Sequence, residues 1–350
     1  MRQRYGLLVA VGVALGLAVP LLYGGRETLT LLGRVSLATL ALMLGMVFAG
    51  WNFNAGRLRL LTGGAGVSLG QGRALVTVMA TELVICSTPA GSGGPFALAW
   101  LLERHGLPKS RGLAVYTADQ FMDMLFFLGA LGGLVLYWLF VPSGLHLGWQ
   151  LGGMAAALAG TMSLLWLFPN HHRHFFGIGG RLLRPLRLST RLRRGLARQV
   201  LKFNHSLRLV KGYPRGRLAA IFLLCSAHWL LRYSVLYLAV AAVGGHVSWG
   251  HAFLVQMLSL TAGQATLLPG GGGGTEVSSS LLLAPYLDPA TLAAAIVLWR
   301  FVTYYWYLIA GAPAFAIAVG RPIGQQAAGE SELRLEPAGQ LPAQSPAVDD

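Results

Sequence analysis

Carboxylates are what this sequence has least of. Only 12 of its 350 residues are Asp or Glu, and all charged residues together make up 11%, against roughly 25% in a soluble globular chain. That shortage excludes an ordinary water-soluble enzyme. With 55% hydrophobic residues, a disordered chain is excluded as well. Cysteine is equally scarce. Cys86 and Cys225 each sit within an apolar run, which leaves both as small buried hydrophobes and excludes a disulfide scaffold or a cysteine metal site. There is no credible hydrolase triad, and no HExxH, kinase or Rossmann signature.

What is present is apolar sequence in long blocks. The mean hydropathy is +0.59, and several runs reach or approach the ~20 residues needed to cross a bilayer core. The chain reads as a multi-span membrane protein. The formal net charge of +15 fits basic loops held on the cytoplasmic side against anionic lipids, and no nucleic-acid partner is expected.

The first block, Leu7–Tyr23, reads as a retained first helix, and the second, Val35–Trp51, closes on Asn52, Asn54, Arg57 and Arg59. The third, Ala74–Leu102, is broken over Ser87–Pro95 by two prolines and three glycines, through which no helix can continue. Basic residues flank both of its ends, so the positive-inside rule makes it a hairpin entering from and returning to the cytoplasm. Leu113–Phe140 is a long span bearing Asp119 and Asp123, followed by the charge-free loop Val141–Trp149 and a return span, Leu151–Phe168. His171–Arg217 carries 13 Lys/Arg and no acid. It is expected to be cytoplasmic, with a surface-lying amphipathic helix over residues 192–210. Its His171, His172 and His174 read as part of a basic patch, and no metal is expected. Leu218–Val243 contains His228 and Arg232. A second broken block, Phe253–Leu283, is interrupted at Leu267–Glu276, and a final span, Ala290–Val319, carries Arg300. Residues 1–320 form one membrane domain, and 321–350 a disordered cytoplasmic tail. Both termini are expected to be cytoplasmic.

The two breaks match. Pro89 opens Pro-Ala-Gly-Ser-Gly-Gly, and Pro269 opens Pro followed by five glycines. A second proline follows 19 and 20 residues later, at Pro108 and Pro289, and a charged span residue 30 and 31 residues later, at Asp119 and Arg300. The first hairpin opens from the cytoplasm and the second from outside. Paired interruptions of opposite orientation point to an inverted-repeat transporter with its site between the two tips. The freed backbone there must be satisfied by protein, water or ligand. Half-helix N-termini suit an anionic group, and glycines let it approach closely.

The candidate substrate-binding residues are therefore Pro89, Gly91, Gly93 and Gly94 of the first tip and Pro269, Gly271, Gly272 and Gly274 of the second. To these the sequence adds the intramembrane charges Asp119, Asp123, Arg232, Glu276 and Arg300, with Glu82 just before the first break. Asp119 and Asp123 share a helix face. Glu276 and Arg300 are expected to approach one another, because a charge at the bilayer centre costs at least ~2.5–3.5 kcal/mol and needs a partner or a cavity. Buried ion pairs holding helices in register would use the same residues. A lone intramembrane His such as His228 is more often an interhelical hydrogen-bonder than a ligand. Tyr304, Tyr305, Trp306 and Tyr307 read by default as interface anchors.

The stretches Ser87–Pro108 with Ala118–Leu125, and Leu267–Glu276 with Leu298–Gly311, make the chain similar to the transmembrane region of the lysylphosphatidylglycerol synthase/flippase family. The second stretch matches well, including Pro269, Glu276 and Arg300. The first departs, reading Pro95-Phe96-Ala97-Leu98 where the family usually has an acid and an Arg. The resemblance implies lipid translocation without lipid synthesis, since the family's two-part proteins place synthesis in a separate C-terminal domain. The expectation is an all-α polytopic protein of the cytoplasmic (inner) membrane. It has about six spans and two re-entrant hairpins in an inverted-repeat arrangement. It acts as a flippase for a lipid or lipid-linked substrate, with anionic phospholipid headgroups as partners and no cofactor. The alternatives are a membrane-embedded lipid-modifying enzyme using Asp119, Asp123 and Glu276 as acid/base groups, and a non-catalytic scaffold or small-solute channel.

Overall fold

The computed structural model describes residues 24–140 and 212–320. The expected first helix at Leu7–Tyr23, the loop Val141–Trp149, the span Leu151–Phe168, the basic segment up to residue 211 and the tail 321–350 lie outside the described residues.

Every regular element among the described residues is helical. The helices are α1 (24–33), α2 (Leu37–Gly64), α3 (Gln71–Ser87), α4 (Gly94–Glu103), α5 (Lys109–Phe140), α6 (Arg215–Ala242), α7 (Trp249–Ala265), α8 (Gly274–Leu283) and α9 (Pro289–Arg300). A π-helical turn over Phe301–Tyr305 then leads into α10 (Trp306–Gly320). Four stretches are long and apolar enough to cross a membrane: α2, α5, α6, and α9 continued through α10. Leu37, Phe96, Leu223 and Leu281 stand exposed on the outside of the bundle, as side chains facing lipid would.

Local chemistry sets the ends. Ser36 caps α2 by accepting from the Thr39 N–H at 3.0 Å. Asp288 caps α9, accepting from the N–H groups of Ala290 and Thr291 at 3.1 and 3.0 Å, and Pro289 supplies a preset first turn. Asn52, Asn54, Arg57 and Arg59 do not close α2. The helix runs on to Gly64, because Asn54 and Arg57 turn inward to partners on other helices rather than outward to headgroups.

The helices fall into two sets of four with the same lengths in the same order. In the first, α2, α3, α4 and α5 have 28, 17, 10 and 32 residues. In the second, α6, α7 and α8 have 28, 17 and 10, and the span from Pro289 to Gly320 has 32. Leu37 and Arg215 are 178 positions apart, as are Gln71 and Trp249; Gly94 and Gly274 are 180 apart, as are Lys109 and Pro289. The two 28-residue helices pack antiparallel. Going up α2, the Gly50 carbonyl meets His228 at 3.0 Å, Gly56 abuts Leu224, and the Leu61 carbonyl accepts from Tyr213 at 2.9 Å.

The tips joining α3 to α4 and α7 to α8 are also alike. Ala90 and Gly91 have φ of +48° and +68°, and Gly270 and Gly271 have +63° and +67°. The Gly91 N–H bonds the Thr88 carbonyl as that of Gly271 bonds Leu268, and Ser92 bonds Pro89 as Gly272 bonds Pro269. The tips touch, with Pro89 and Pro269 forming an isolated antiparallel bridge. The central span is α9 continued through α10: two thirds of its apolar window (67%) is buried, against 28% in the other three. Its alanines at 293–295 allow the close helix packing on which lipid-immersed bundles depend.

Candidate functional site

Beneath the tips lies a cavity of about 650 Å³, walled by α2, α3, α5, α6, α7, both tips and the π turn. Three arginines line it, each beside at least one carboxylate. Arg57, on α2, holds both acids of α5. Its Nε lies 2.6 Å from Asp119 Oδ1 and its Nη2 donates to Asp119 Oδ2 at 2.8 Å, while Nη1 donates to Asp123 Oδ1 at 2.5 Å. Asp123 Oδ1 also accepts from Trp229 Nε1 at 2.7 Å and from Cys225 Sγ at 3.3 Å. Three donors thus converge on one oxygen. The four-residue spacing that puts Asp119 and Asp123 on one face is what lets a single guanidinium reach both.

Arg300, the last residue of α9, lies with its Nε 2.6 Å from Glu276 Oε1 and donates from Nη2 to the Gly270 carbonyl at 2.8 Å. Its guanidinium also stacks on the Tyr304 ring, 4.5 Å from the centroid. Glu276 has no exposed surface, and neither of its oxygens accepts an aligned hydrogen bond among the described residues. The expected approach of Glu276 and Arg300 is present, but Glu276 sits behind Arg300 and does not line the cavity.

Arg232 is the least committed. Its Nη1 is 3.7 Å from Glu82 Oε2, beyond hydrogen-bond length, where Arg57 and Arg300 approach their carboxylates to 2.5–2.6 Å. The guanidinium lies over Tyr307 at 4.5 Å and Trp229 at 5.6 Å, a stacking that keeps it extended into the cavity. His228, one turn away, is satisfied: Nδ1 meets the Gly50 carbonyl at 3.0 Å and Nε2 meets Asn54 Nδ2 at 3.3 Å. A carbonyl can only accept, so Nδ1 donates, Nε2 accepts, and the ring is neutral. His228 is the interhelical hydrogen-bonder that base expectation favours.

Of the residues singled out in the sequence, Glu82, Gly91, Asp119, Asp123, Arg232, Gly271 and Arg300 are among those that line the cavity. Pro89 and Pro269 pair with each other above it. Gly93 and Gly94 pack against Val84, Thr88 and Ile85, and Gly274 against Thr266 and Gly263. These three serve close packing, and neither they nor Gly272 line the cavity. The tips hold fewer free donors than half-helix ends would. Gly93 N–H is taken by Thr88 Oγ1 at 3.0 Å, Gly94 N–H by the Gly91 carbonyl at 3.0 Å, and Thr275 N–H by the Gly271 carbonyl at 3.0 Å. Pro95 brings none.

Arg57 is the main residue that sequence reasoning placed elsewhere, as a headgroup-level flank. Tyr304 and Tyr307 are not interface anchors: they are 2% and 1% exposed and form the stacking surfaces for Arg300 and Arg232. The π turn delivers them. It widens the helix just after Arg300, a device frequent at functional sites. No cluster of metal-ligating residues occurs among the described residues.

A helical bundle with lipid-facing apolar surface, and with paired charges enclosed at its centre, defines an integral membrane protein with a polar internal cavity. The sequence model of the lysylphosphatidylglycerol synthase transmembrane region matches residues 7–311, and the chain belongs to that family. It is 21% identical over 328 residues to a UPF0104 membrane protein of Archaeoglobus fulgidus, covering 88% of this chain and 94% of the relative. It is 32% identical over 104 residues to a UPF0104 membrane protein of Methanothermobacter thermautotrophicus, covering 28% of this chain and 31% of that one.

Proposed function

We propose that the chain is a flippase of the cytoplasmic membrane. It carries the headgroup of a lipid, or of a lipid-linked substrate, through the charged cavity while the acyl chains stay in the bilayer. The observation that carries this reading is the cavity itself. About 650 Å³ of space lined by Arg57, Glu82, Asp119, Asp123, Arg232 and Arg300 is far more than helix-locking ion pairs require, and charge in a membrane is tolerated where it faces a partner or water.

The helix lengths support two re-entrant hairpins. At 1.5 Å per residue, the 17-residue α3 and α7 reach about 26 Å and the 10-residue α4 and α8 about 15 Å. A hydrocarbon core of about 30 Å is thus entered but not crossed by α4 or α8. Equal helix lengths in the two sets, antiparallel packing of α2 on α6 and the pairing of Pro89 with Pro269 fit an inverted repeat whose axis passes between the tips.

Within the cavity Arg232 is the headgroup anchor. Its donors are the freest, and an anionic phospholipid phosphate would replace the loose contact with Glu82 by charge-assisted hydrogen bonds. The acid/base alternative has less support, because Asp119 and Asp123 are both committed to Arg57.

Reconstitution in liposomes with labelled lipids tests the reading. Transbilayer movement of intact lipid is expected. A change in lipid mass would replace the flippase by an enzyme, and neither movement nor mass change would leave a scaffold. Both termini and His171–Arg217 are placed inside, with Val141–Trp149 and Gly244–Gly250 outside. Labelling of a Ser189→Cys variant from outside whole cells would overturn that orientation.

A further inference from the structure

The two helix sets are alike in length but not in how they close. The α10 half of the last span lies tightly on α3 at Gly311. A methyl group there would sit 2.9 Å from Leu83 Cβ and 3.1 Å from the Met79 carbonyl oxygen, so these helices are in backbone contact. The offsets between the sets give each partner a counterpart. Met79 and Leu83 correspond to Met257 and Thr261 on α7, 178 positions later, and the turn of α5 that answers to Gly311, once the extra residue of the π turn is counted, includes Leu131. Those three counterparts do not close a seam. All of them line the cavity, and Thr261 is exposed. α5 and α7 meet instead at Phe126 and Phe253, whose ring centroids are 6.5 Å apart. Among the described residues, one seam is sealed and its equivalent is parted.

The parted seam also differs in chemistry from the wall behind it. Phe127, Leu128 and Leu131 on α5 and Met257 and Leu260 on α7 line this side of the cavity without a charge, while Arg57, Glu82, Arg232 and Arg300 line it from α2, α3, α6 and α9, and Asp119 and Asp123 lie one and two turns back along α5. An apolar mouth leading to a charged chamber has the division of a membrane lipid, whose chains need hydrocarbon contact and whose headgroup needs polar partners.

We propose that the α5–α7 seam is the lateral gate of the cavity, occupied by the acyl chains of a membrane lipid while its headgroup sits among the arginines. The gate rests on the flippase reading above. It adds the route, the side of the bundle and the residues that touch the chains.

The test uses the full chain in liposomes of phosphatidylglycerol and phosphatidylethanolamine. In a Leu131→Cys/Thr261→Cys variant, a reducible bifunctional thiol reagent is to bridge the lips. The native Cys86 also lines the cavity, so Cys86 and Cys225 are first replaced by Ala, which leaves the two lip thiols as the only ones in the chain. Bridging is expected to lower lipid movement at least tenfold, and reductant to restore it, which also shows that the variant is folded. In parallel, a photoreactive residue replacing Leu260 is expected to gain the mass of a diacyl lipid, and one replacing Leu83 is not. The gate is wrong if the bridged protein moves lipid at the unbridged rate, or if the probe at 260 captures protein in place of lipid. A parent protein that moves no lipid, with lipid still captured at 260 and not at 83, would defeat the flippase reading and leave the lipid-filled seam standing.

Discussion

Glu276→Gln perturbs the most enclosed charge pair in the bundle. Glu276 is fully buried and Arg300 is 2% exposed, with Nε 2.6 Å from Oε1. Removing the carboxylate leaves Arg300 with the Gly270 carbonyl and the Tyr304 face, neither of which carries a compensating charge. Breaking a buried pair from one side costs about 3–5 kcal/mol. The Gln side chain keeps the volume of Glu276 and an oxygen dipole beside Arg300, which places this substitution near the lower end. A loss of about 3 kcal/mol lowers the folded-to-unfolded ratio about a hundredfold, out of a total of roughly 5–15 kcal/mol. Arg300→Gln should cost at least as much, since it strands a fully buried carboxylate whose oxygens have no aligned donor among the described residues. The double substitution removes both charges together and should cost clearly less than the two singles summed. Unfolding of the four proteins in detergent, followed by thermal loss of the monodisperse chromatography peak, measures this. Additive costs, or a Glu276→Gln protein as stable as the parent, would refute the assignment of a desolvated, mutually dependent pair.

Arg232→Gln should reduce lipid movement at least tenfold in reconstituted vesicles, with less loss of thermal stability than Glu276→Gln, because its carboxylate contact is already 3.7 Å long; equal transport would remove Arg232 as the anchor. Ala90→Gly should stabilise the protein by about 1 kcal/mol, since Ala90 holds φ of +48° at a cost glycine does not bear, and an unchanged melting point would contradict it. At the matching position, Gly270→Ala should prevent accumulation of folded protein, because the added methyl would collide with the Tyr304 ring; normal yield would show that the second tip is not fixed as described. Asp288→Ala should cost about 1 kcal/mol as a lost helix cap. The backbone and side-chain hydrogen bonds of Thr291 hold the Asp288 carboxyl below the usual carboxylate range. Its folded value therefore lies below its unfolded one, and its stabilisation is present above the unfolded value and lost as pH falls through the folded one. Thermal scans across acidic pH should show that loss in the parent and not in Asp288→Ala.

The breaks at Pro89 and Pro269 were legible because proline and glycine act locally: they end a helix wherever the chain goes next. Asp119 and Asp123 were legible as one face because a four-residue step fixes their direction. Arg57 was not, and the reason is distance. Its two partners lie 62 and 66 residues further on, and nothing near Arg57 distinguishes a guanidinium turned inward from one turned to headgroups. Asn52, Asn54 and Arg59 around it made the end of a span the natural local reading. The tyrosines at 304 and 307 misled in the same way. Aromatic residues near the end of an apolar block suit a membrane interface, and only the π turn after Arg300 sends these two beneath arginines of α6 and α9.

That asymmetry between local and distant information also explains why the cavity is better seen in the structure than the tips are. The sequence advertises eleven glycines and prolines at 89–95 and 269–274 as free backbone awaiting a ligand, yet many of the tip N–H groups are used within the tips themselves, and Pro89 and Pro269 face each other. Self-satisfaction is what a break at membrane depth requires when lipid offers no hydrogen bonds. The tips are therefore a rigid lid over the chamber more than a binding surface. In the proposed flippase, recognition would pass to side chains held in three arginine clusters, and among these the weakly held Arg232 would have the most to gain from a phosphate. A site in which two arginines are tightly paired and one is loosely held can be preorganised and still receptive. The tight pairs fix the helices, and the loose contact is the one a substrate can displace without unbuilding the wall.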